Sequence, residues 1–308
     1  MRALVADPPV SPALSLADVP EPSPGPGQLL IRMEASSVNR GEIRGAANQP
    51  PGTVIGWDVA GDVVAVGEGV TGFEVGERVL AVAPTGGAFA EVVTVPAAWT
   101  TPLPLAADPV LASTLPVAGI TAMNILRLAR VHAGDRVLIT GAAGGVGQLA
   151  VQLAVDAKAT VTGQASSEQR AAAVRELGAE PLLHPGDGSP VPGEFDVVLD
   201  GIGGPMLGPL LRATVLGGRV VVYGNSANAE STIRVEDFYP KAVTIYGFRV
   251  FQSVPSEQGV KDMATLAEQL VAGRLRITVQ DTAPLTDALR LIRDLYDRKV
   301  TGKVVITS

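Results

Sequence analysis

The sequence predicts an α/β protein in which a doubly wound parallel sheet is inserted into a discontinuous, β-rich unit. Three observations predict it. The first hundred residues are short strand patterns broken by glycine turns. From about Ala112 onward strands and helices alternate, which is the pattern of a parallel sheet with right-handed crossovers. A glycine-rich turn joins the first of those strands to its helix within Val137 to Ala154, and the chain closes on one more strand, Lys303 to Thr307. The boundaries follow as 1–113 and 249–308 for the β-rich unit, with 114–248 for the inserted one.

Residues 3–5 and 28–34 read as strands, separated by the proline-rich segment Pro20 to Gly27. Proline fixes φ and removes a ladder donor, so that segment is a surface connection. From Ala35 to Pro96 come Val59 to Val66, a turn at Gly67 to Gly69, Arg78 to Val82 and Phe89 to Val95, closely spaced as in an all-β unit. Residues 116–130 read as a helix, broken by Gly134 before the strand at 136–140. Strand Thr160 to Gly163 then precedes helix 168–177, which Gly178 ends. Val197 to Leu199 leads into the turn Asp200 to Gly204 and a short helix, followed by strands Arg219 to Tyr223 and Val243 to Tyr246. Helices near 257–272 and 284–297 carry the tail to its last strand, which is expected to return to the first unit.

At 308 residues with 46% hydrophobic and 18% charged side chains, the chain can bury two cores and is not disordered. Only 4% is aromatic, so Ala, Val and Leu must fill the interior. A net charge of −7 and the lack of a Lys/Arg run exclude a nucleic-acid surface. There is no cysteine, hence no disulfide, thiolate nucleophile or cysteine-ligated zinc. No apolar stretch matches a signal peptide or a membrane span, and a cytoplasmic protein is expected.

The glycine turn carries the first chemistry. Its motif is Ala142-x-Gly144-x-x-Gly147, between the strand Val137 to Thr140 and a helix with apolar Val146, Leu149, Ala150 and Leu153. Glycines let the backbone approach a pyrophosphate closely, and the helix start at Gly145 and Val146 offers free N–H groups and a positive dipole end. The second strand of an NAD unit normally ends near an acid that takes the ribose 2′-OH. Here that segment is Val161 to Arg170, with Ser166, Ser167 and Arg170 in place of the acid. Hydroxyls and a guanidinium suit a 2′-phosphate, which points to NADPH; alternatively Ser166 caps the next helix and Arg170 is a solvated charge.

The whole chain resembles the medium-chain dehydrogenase/reductase family, specifically its zinc-independent quinone oxidoreductase branch. The residues that carry the resemblance are Ala35 to Asn39, Gly56 to Gly61, Gly67 to Val79, Gly87 to Glu91, Gly119 to Ala122, the Val137 to Ala154 stretch, Leu177 to Ala179, Asp196 to Asp200, Tyr223 to Asn225 and Thr301 to Val305. The resemblance implies a GroES-like substrate domain around a Rossmann domain, an active site in the cleft between them, and hydride transfer from a nicotinamide to a quinone or conjugated carbonyl. It also implies a homodimer through the last strand of the cofactor sheet, Val243 to Phe248 here. Further cofactor contacts carried over by motif are Asn39, Thr121, Gly201, Ile202, Gly203, Tyr223, Gly224, Asn225, Phe248 and Lys303. A Tyr near the adenosine in some relatives is replaced around His184.

Zinc-dependent cousins hold a metal with Cys ligands and a Gly-His-Glu motif. The matching segment here is Gly56-Trp57-Asp58, and the only histidines are His132, at a helix end, and His184. No metal is expected. Without one, the acceptor must delocalise the developing charge, as quinones, enones and enoyl thioesters do. A Tyr that relatives place after the Val-Asn motif is absent from Val38 to Asn48, and Glu42 stands where an Asp is frequent. Asn39, Arg40 and Arg44 remain as polar catalytic candidates; alternatively Arg40, Glu42 and Arg44 form a local ion pair on a solvated face. Trp57, Phe89, Tyr246 and Phe251 are expected as substrate-pocket walls, shaped by loops near 40–55 and 248–258. Two functional readings stand: an NADPH-dependent reductase of quinones or activated C=C bonds, in a narrower form serving a polyketide-like enone in bacterial secondary metabolism, and a catalytically weak NADPH-binding sensor or structural protein.

Overall fold

Alternating burial drives the first elements of the computed structural model, which describes residues 1–252 and 256–308; residues 253–255 of the expected 248–258 loop lie outside the described residues. Strands β1 (Arg2–Ala6) and β2 (Leu14–Asp18) pair antiparallel as a separate ribbon. Strand β3 (Gln28–Ser37) buries Leu29, Leu30, Ile31 and Met33 and is the hub of a larger sheet. After it come helix α1 (Arg40–Ala46), β4 (Asp58–Val66), β5 (Arg78–Val82), β6 (Val92–Pro96), β7 (Thr100–Pro102), the single turn α2 (Pro109–Ala112) and α3 (Pro116–Leu128).

The inserted unit runs β8 (Arg136–Ile139), α4 (Gly145–Asp156), β9 (Thr160–Ala165), α5 (Glu168–Glu176), β10 (Glu180–Leu183), β11 (Phe195–Asp200), α6 (Leu207–Ala213), β12 (Thr214–Val222) and β13 (Thr244–Gly247). The tail adds α7 (Glu257–Val271), β14 (Val279–Pro284), α8 (Ala288–Tyr296) and β15 (Lys303–Thr307). The chain divides into two compact units, Met1–Ile120 with Val250–Ser308, and Thr121–Arg249. The first junction therefore falls inside α3 rather than at 113/114.

In the first unit the sheet order is β14-β15-β3-β4-β5-β7, with β6 also paired to β3. The last strand does return here: Val305 lies opposite Ser37 and Ile306 opposite Ser36. Its core gathers Leu4, Ile31, Met33, Val79 and Phe89 with Ile306. Helix α8 closes it with Ala288, Leu291, Ile292 and Leu295, all buried and spaced as one helical stripe.

In the second unit six parallel strands lie in the order β10-β9-β8-β11-β12-β13. The order reverses between β8 and β11, and ligands of such sheets bind outside the carboxyl ends at that switch point. Strand β8 is buried at Val137, Leu138 and Ile139, as a strand covered on both faces must be.

Some elements differ from the sequence reading. Residues 40–46 are helical, although two glycines interrupt them, because Glu42 caps the Asn39 N–H and Ile43 with Ala46 is buried on one face. Strands β2, β7, β10 and β14, of three to six residues, are too short to register as periodic. The strand expected from Phe89 begins only at Val92, and the helix expected from 284 begins at Ala288 after a 3₁₀ turn.

Candidate functional site

The carboxyl ends of β8, β9, β11 and β12 bring together most of the expected cofactor residues of the second unit. Helix α4 starts at Gly145 with Gly144 extended as its N-cap. Helix geometry leaves the first N–H groups, those of Gly145, Val146 and Gly147, without an intrahelical partner. Gly147 has no alternative: a Cβ there would sit 2.3 Å from the Gly141 carbonyl oxygen and 2.7 Å from the Ala142 Cα. Ala142 takes the first motif position because its methyl packs over Gly163 of β9, whose own Cβ would lie 2.8 Å away.

Sequence reasoning missed what holds this turn. Buried Gln164 accepts from the Gly141 N–H at 2.9 Å through its side chain and from Ala142 N–H at 3.1 Å through its carbonyl, while its amide donates to the His184 carbonyl at 2.5 Å. The available signal was an amide side chain directly after Gly163, near the carboxyl end of the second strand of the sheet. Asp200, also missed as a builder, is fully buried. It accepts from Thr140 Oγ1 at 2.6 Å, Ile202 N at 2.9 Å and Gly203 N at 3.1 Å. Burial pushes its carboxyl up against those donors.

Tyr223 packs on Gly201, where a Cβ would meet the ring at 2.7 Å, and its hydroxyl donates to the Thr140 carbonyl at 3.3 Å. Burial and the Asp200 charge push its phenol up. Gly224 approaches the Gly201 carbonyl, and exposed Asn225 accepts from Asn228 N–H at 3.1 Å. Thr121 is buried on α3, and half-buried Phe248 donates its N–H to Val222 at the end of β12.

At the end of β9, the Arg170 guanidinium donates to Ser166 Oγ at 2.6 Å. Ser167, not Ser166, is the N-cap of α5, its hydroxyl accepting from Arg170 N–H at 3.4 Å. The two serines therefore have different jobs. His184 is buried beyond β10, held by Gly186 N–H at 3.0 Å and Ser189. His132 is exposed, its ring 3.5 Å from Asp135.

The first unit contains a second cluster, made of side chains. Buried Asp58 accepts from Ser37 Oγ at 2.6 Å, Asn39 Nδ2 at 2.7 Å and Val117 N at 2.9 Å. Lys303, only 3% exposed, donates to Asn39 Oδ1 at 2.8 Å and the Val38 carbonyl at 3.0 Å, and stands 3.9 Å from Asp58. Lys303, expected from its motif as a cofactor contact, turns its ammonium inward to Asn39, Val38 and Asp58, the charge it neutralises. Glu42 is 2% exposed and accepts from Asn39 N–H at 2.5 Å. It points into the interior, away from a solvated face with Arg40 and Arg44. Burial and then Asp58 push its carboxyl well up. Arg40 and Arg44 are half-buried on α1, and burial with the nearby Arg298 draws the Arg44 guanidinium down.

Of the expected pocket walls, half-buried Trp57 and Phe251 meet edge to face at 4.7 Å. Phe89 is a correction: it has no exposed surface and belongs to the core of the first unit. Tyr246 is half-buried on β13. Among the described residues no group of three or more His, Cys, Asp or Glu side chains is arranged to hold a metal ion.

Comparison with known proteins agrees with this architecture. The zinc-binding dehydrogenase family matches residues 145–269, and the alcohol dehydrogenase GroES-like domain matches residues 25–105. The chain is 33% identical to a 2-haloacrylate reductase from a Burkholderia species, over 92% of each chain. The quinone oxidoreductase from Coxiella burnetii superposes with a TM-score of 0.87 at 26% identity, over 100% of this chain and 99% of that one. Mycobacterial Rv1454c, solved complexed with NADPH, superposes with a TM-score of 0.90 at 27% identity over 100% of both chains. A parallel sheet reversing at β8 and β11, a glycine turn shaped for a close backbone approach and a relative shared over nine-tenths of its length lead to one conclusion: the chain belongs to the medium-chain dehydrogenase/reductase family, in its quinone oxidoreductase branch.

Proposed function

We propose that the chain is an NADPH-dependent, zinc-independent reductase of quinones or activated C=C bonds. The observation that carries the cofactor choice is the Ser166–Arg170 pair at the end of β9, 2.6 Å apart where an NAD unit would place an acid. A guanidinium and a hydroxyl together donate to a 2′-phosphate, whereas an acid would repel it. The first-turn N–H groups at Gly145, Val146 and Gly147 would take the pyrophosphate. Gly201, Ile202, Tyr223, Gly224, Asn225, Thr121 and Phe248 would line the rest of the cofactor, and its complex in mycobacterial Rv1454c supports the same choice. When bound, NADPH supplies a hydride.

The donor set argues against zinc. The chain has no cysteine, Trp57 stands where a His ligand would, and Asp58 already accepts from Ser37, Asn39 and Val117. Without a Lewis acid the acceptor must carry its own delocalisation, which quinones and conjugated carbonyls do. Activity of relatives on 2-haloacrylate and quinones supports that class. Asn39 is the residue we assign to orient cofactor or substrate, with Arg40 and Arg44 facing an anionic group, Trp57 and Phe251 as an aromatic wall, and water as proton source.

The outer edge of β13 ends the sheet, with Ile245 and Thr244 exposed. An apolar strand edge invites pairing, so we assign a homodimer through it, to be read by sedimentation and broken by Ile245→Asp. No helix among the described residues is long and apolar enough to cross a membrane; the proposed use of NADPH, an intracellular coenzyme, supports our reading of a cytoplasmic enzyme. The deciding experiment is steady-state NADPH oxidation over a panel of quinones and enones. Arg170→Ala should lower the NADPH-over-NADH preference about 10-fold or more. An unchanged preference would sink the cofactor assignment, and saturable NADPH binding without oxidation of any acceptor would make the chain a binding protein.

A further inference from the structure

Three ionisable side chains converge on Asn39, from α1, β4 and β15. Its backbone N–H is held by Glu42 Oε1 at 2.5 Å, its Nδ2 by Asp58 Oδ2 at 2.7 Å, and its Oδ1 by Lys303 Nζ at 2.8 Å. The side chain is nevertheless half-exposed. A flipped amide would set N–H against an ammonium and oxygen against a carboxylate, so the charges select one orientation. Asp58 uses one of the two Nδ2 protons, and the planar amide directs the other away from it.

We infer that Lys303, Asp58 and Glu42 are positioning residues for Asn39, fixing its side-chain amide so that the second N–H is a preorganised donor to cofactor or substrate. The inference rests on the assignment of Asn39 as a contact residue. A donor held in place needs no reorganisation when charge develops on the acceptor, which is where such groups are most effective.

The charge state of the cluster follows from its hydrogen bonds. Asp58 accepts from three donors and has Lys303 beside it, so this pair is ionised. Glu42 differs. Its Oε1 accepts from the Asn39 N–H, and its buried Oε2 has no hydrogen-bond partner. An ionised carboxylate with a buried, unpartnered oxygen is strongly unfavourable. Glu42 is therefore a neutral acid: beside its burial, the Asp58 charge favours the protonated form more than Lys303 opposes it. Ionising it would place a second negative charge beside Asp58 and weaken the hold on the amide.

Selective ¹⁵N-asparagine labelling reads the hold directly, with the Asn39 amide pair assigned by its loss in Asn39→Ala. The pair is expected to exchange slowly with solvent in the wild type and to lose that protection in Lys303→Met, with partial return in Lys303→Arg. Turnover should fall about 10-fold or more in Lys303→Met and hardly further in the double variant with Asn39→Ala. An amide pair untouched by Lys303→Met, or losses in kcat that multiply fully in the double variant, overturns the inference. Should Lys303→Met fail to fold, Glu42→Gln decides. Its kcat relative to wild type should rise with pH as the native glutamate ionises, and a pH-independent ratio overturns the neutral-acid assignment. A wild type with a protected amide pair that oxidises no NADPH with any acceptor leaves the anchoring of Asn39 in place and removes the reductase reading instead.

Discussion

The glycine turn of the second unit and the polar cluster of the first are both sites, built in opposite ways. The turn acts through its backbone: Gly145 to Gly147 have N–H groups without an intrahelical partner, and what matters at Gly147 is that a side chain is absent. The cluster acts through side chains gathered from Ser37, Asn39, Glu42, Asp58 and Lys303, joined by the Val117 backbone N–H. A backbone site tolerates no added atoms, whereas a charge cluster tolerates no missing partner. Substitutions should therefore fail in opposite directions at the two places.

The largest effect is expected from Lys303→Met. Removing one member of a buried ion pair leaves Asp58 as an uncompensated charge, a loss of about 3–5 kcal/mol by chemical denaturation. Gly147→Ala comes next. A methyl 2.3 Å from the Gly141 oxygen cannot be housed without moving the turn, which costs about 1–3 kcal/mol. NADPH titration should show that this variant also loses binding. A folded Gly147→Ala with wild-type affinity would mean that the close backbone approach is not what the glycine serves.

The same contrast explains what could be read from the chain. Strand, glycine turn and helix are contiguous, so Val137 to Ala154 announced the parallel sheet and its ligand edge. The Ser166–Arg170 pair spans a single helical turn and was equally legible. Lys303 and Asn39 are separated by 264 positions, and only the pairing of β15 with β3 brings them together. Nothing local in Thr301 to Val305 shows that the ammonium faces inward. Phe89 misled for a related reason: an aromatic side chain reads the same at a pocket wall and in a core, and only packing tells them apart. Glu42 looked like a surface charge because its neighbours Arg40 and Arg44 are charged, while its partners are backbone groups that no sequence displays.

Glu42→Gln sharpens the comparison by changing charge without changing shape. In the unfolded chain this glutamate ionises near 4.5, and in the folded chain burial and Asp58 keep it protonated to higher pH. Between those limits the folded state binds more protons, so wild-type stability falls as pH rises through that window. Glutamine does not titrate. The variant should match the wild type near pH 4 and gain on it above that by up to about 1.4 kcal/mol per pH unit, until the native glutamate ionises. Asp58 is also pushed up and Lys303 down by burial, but both are present in the two proteins and cancel in the difference. Denaturation midpoints across pH check this, and a flat difference would show that Glu42 is ionised in the folded chain.

The smallest effect separates backbone from side-chain work within one dipeptide. Ser167 caps α5 through a long 3.4 Å bond from Arg170 N–H, while Ser166 accepts from the Arg170 guanidinium at 2.6 Å. Ser167→Ala should lower stability by about 0.5–1 kcal/mol, at the weak end for a cap, and leave the NADPH-over-NADH preference alone. Ser166→Ala should leave the melting point nearly unchanged, since an exposed side-chain contact contributes little to folding, yet reduce the preference for NADPH a few-fold, about 1 kcal/mol. Thermal melts and the ratio of kcat/KM for the two coenzymes measure both. If the two alanines move stability and preference together, the capping hydroxyl and the guanidinium partner are not separate devices, and the pair at the end of β9 shapes the helix rather than selecting the coenzyme.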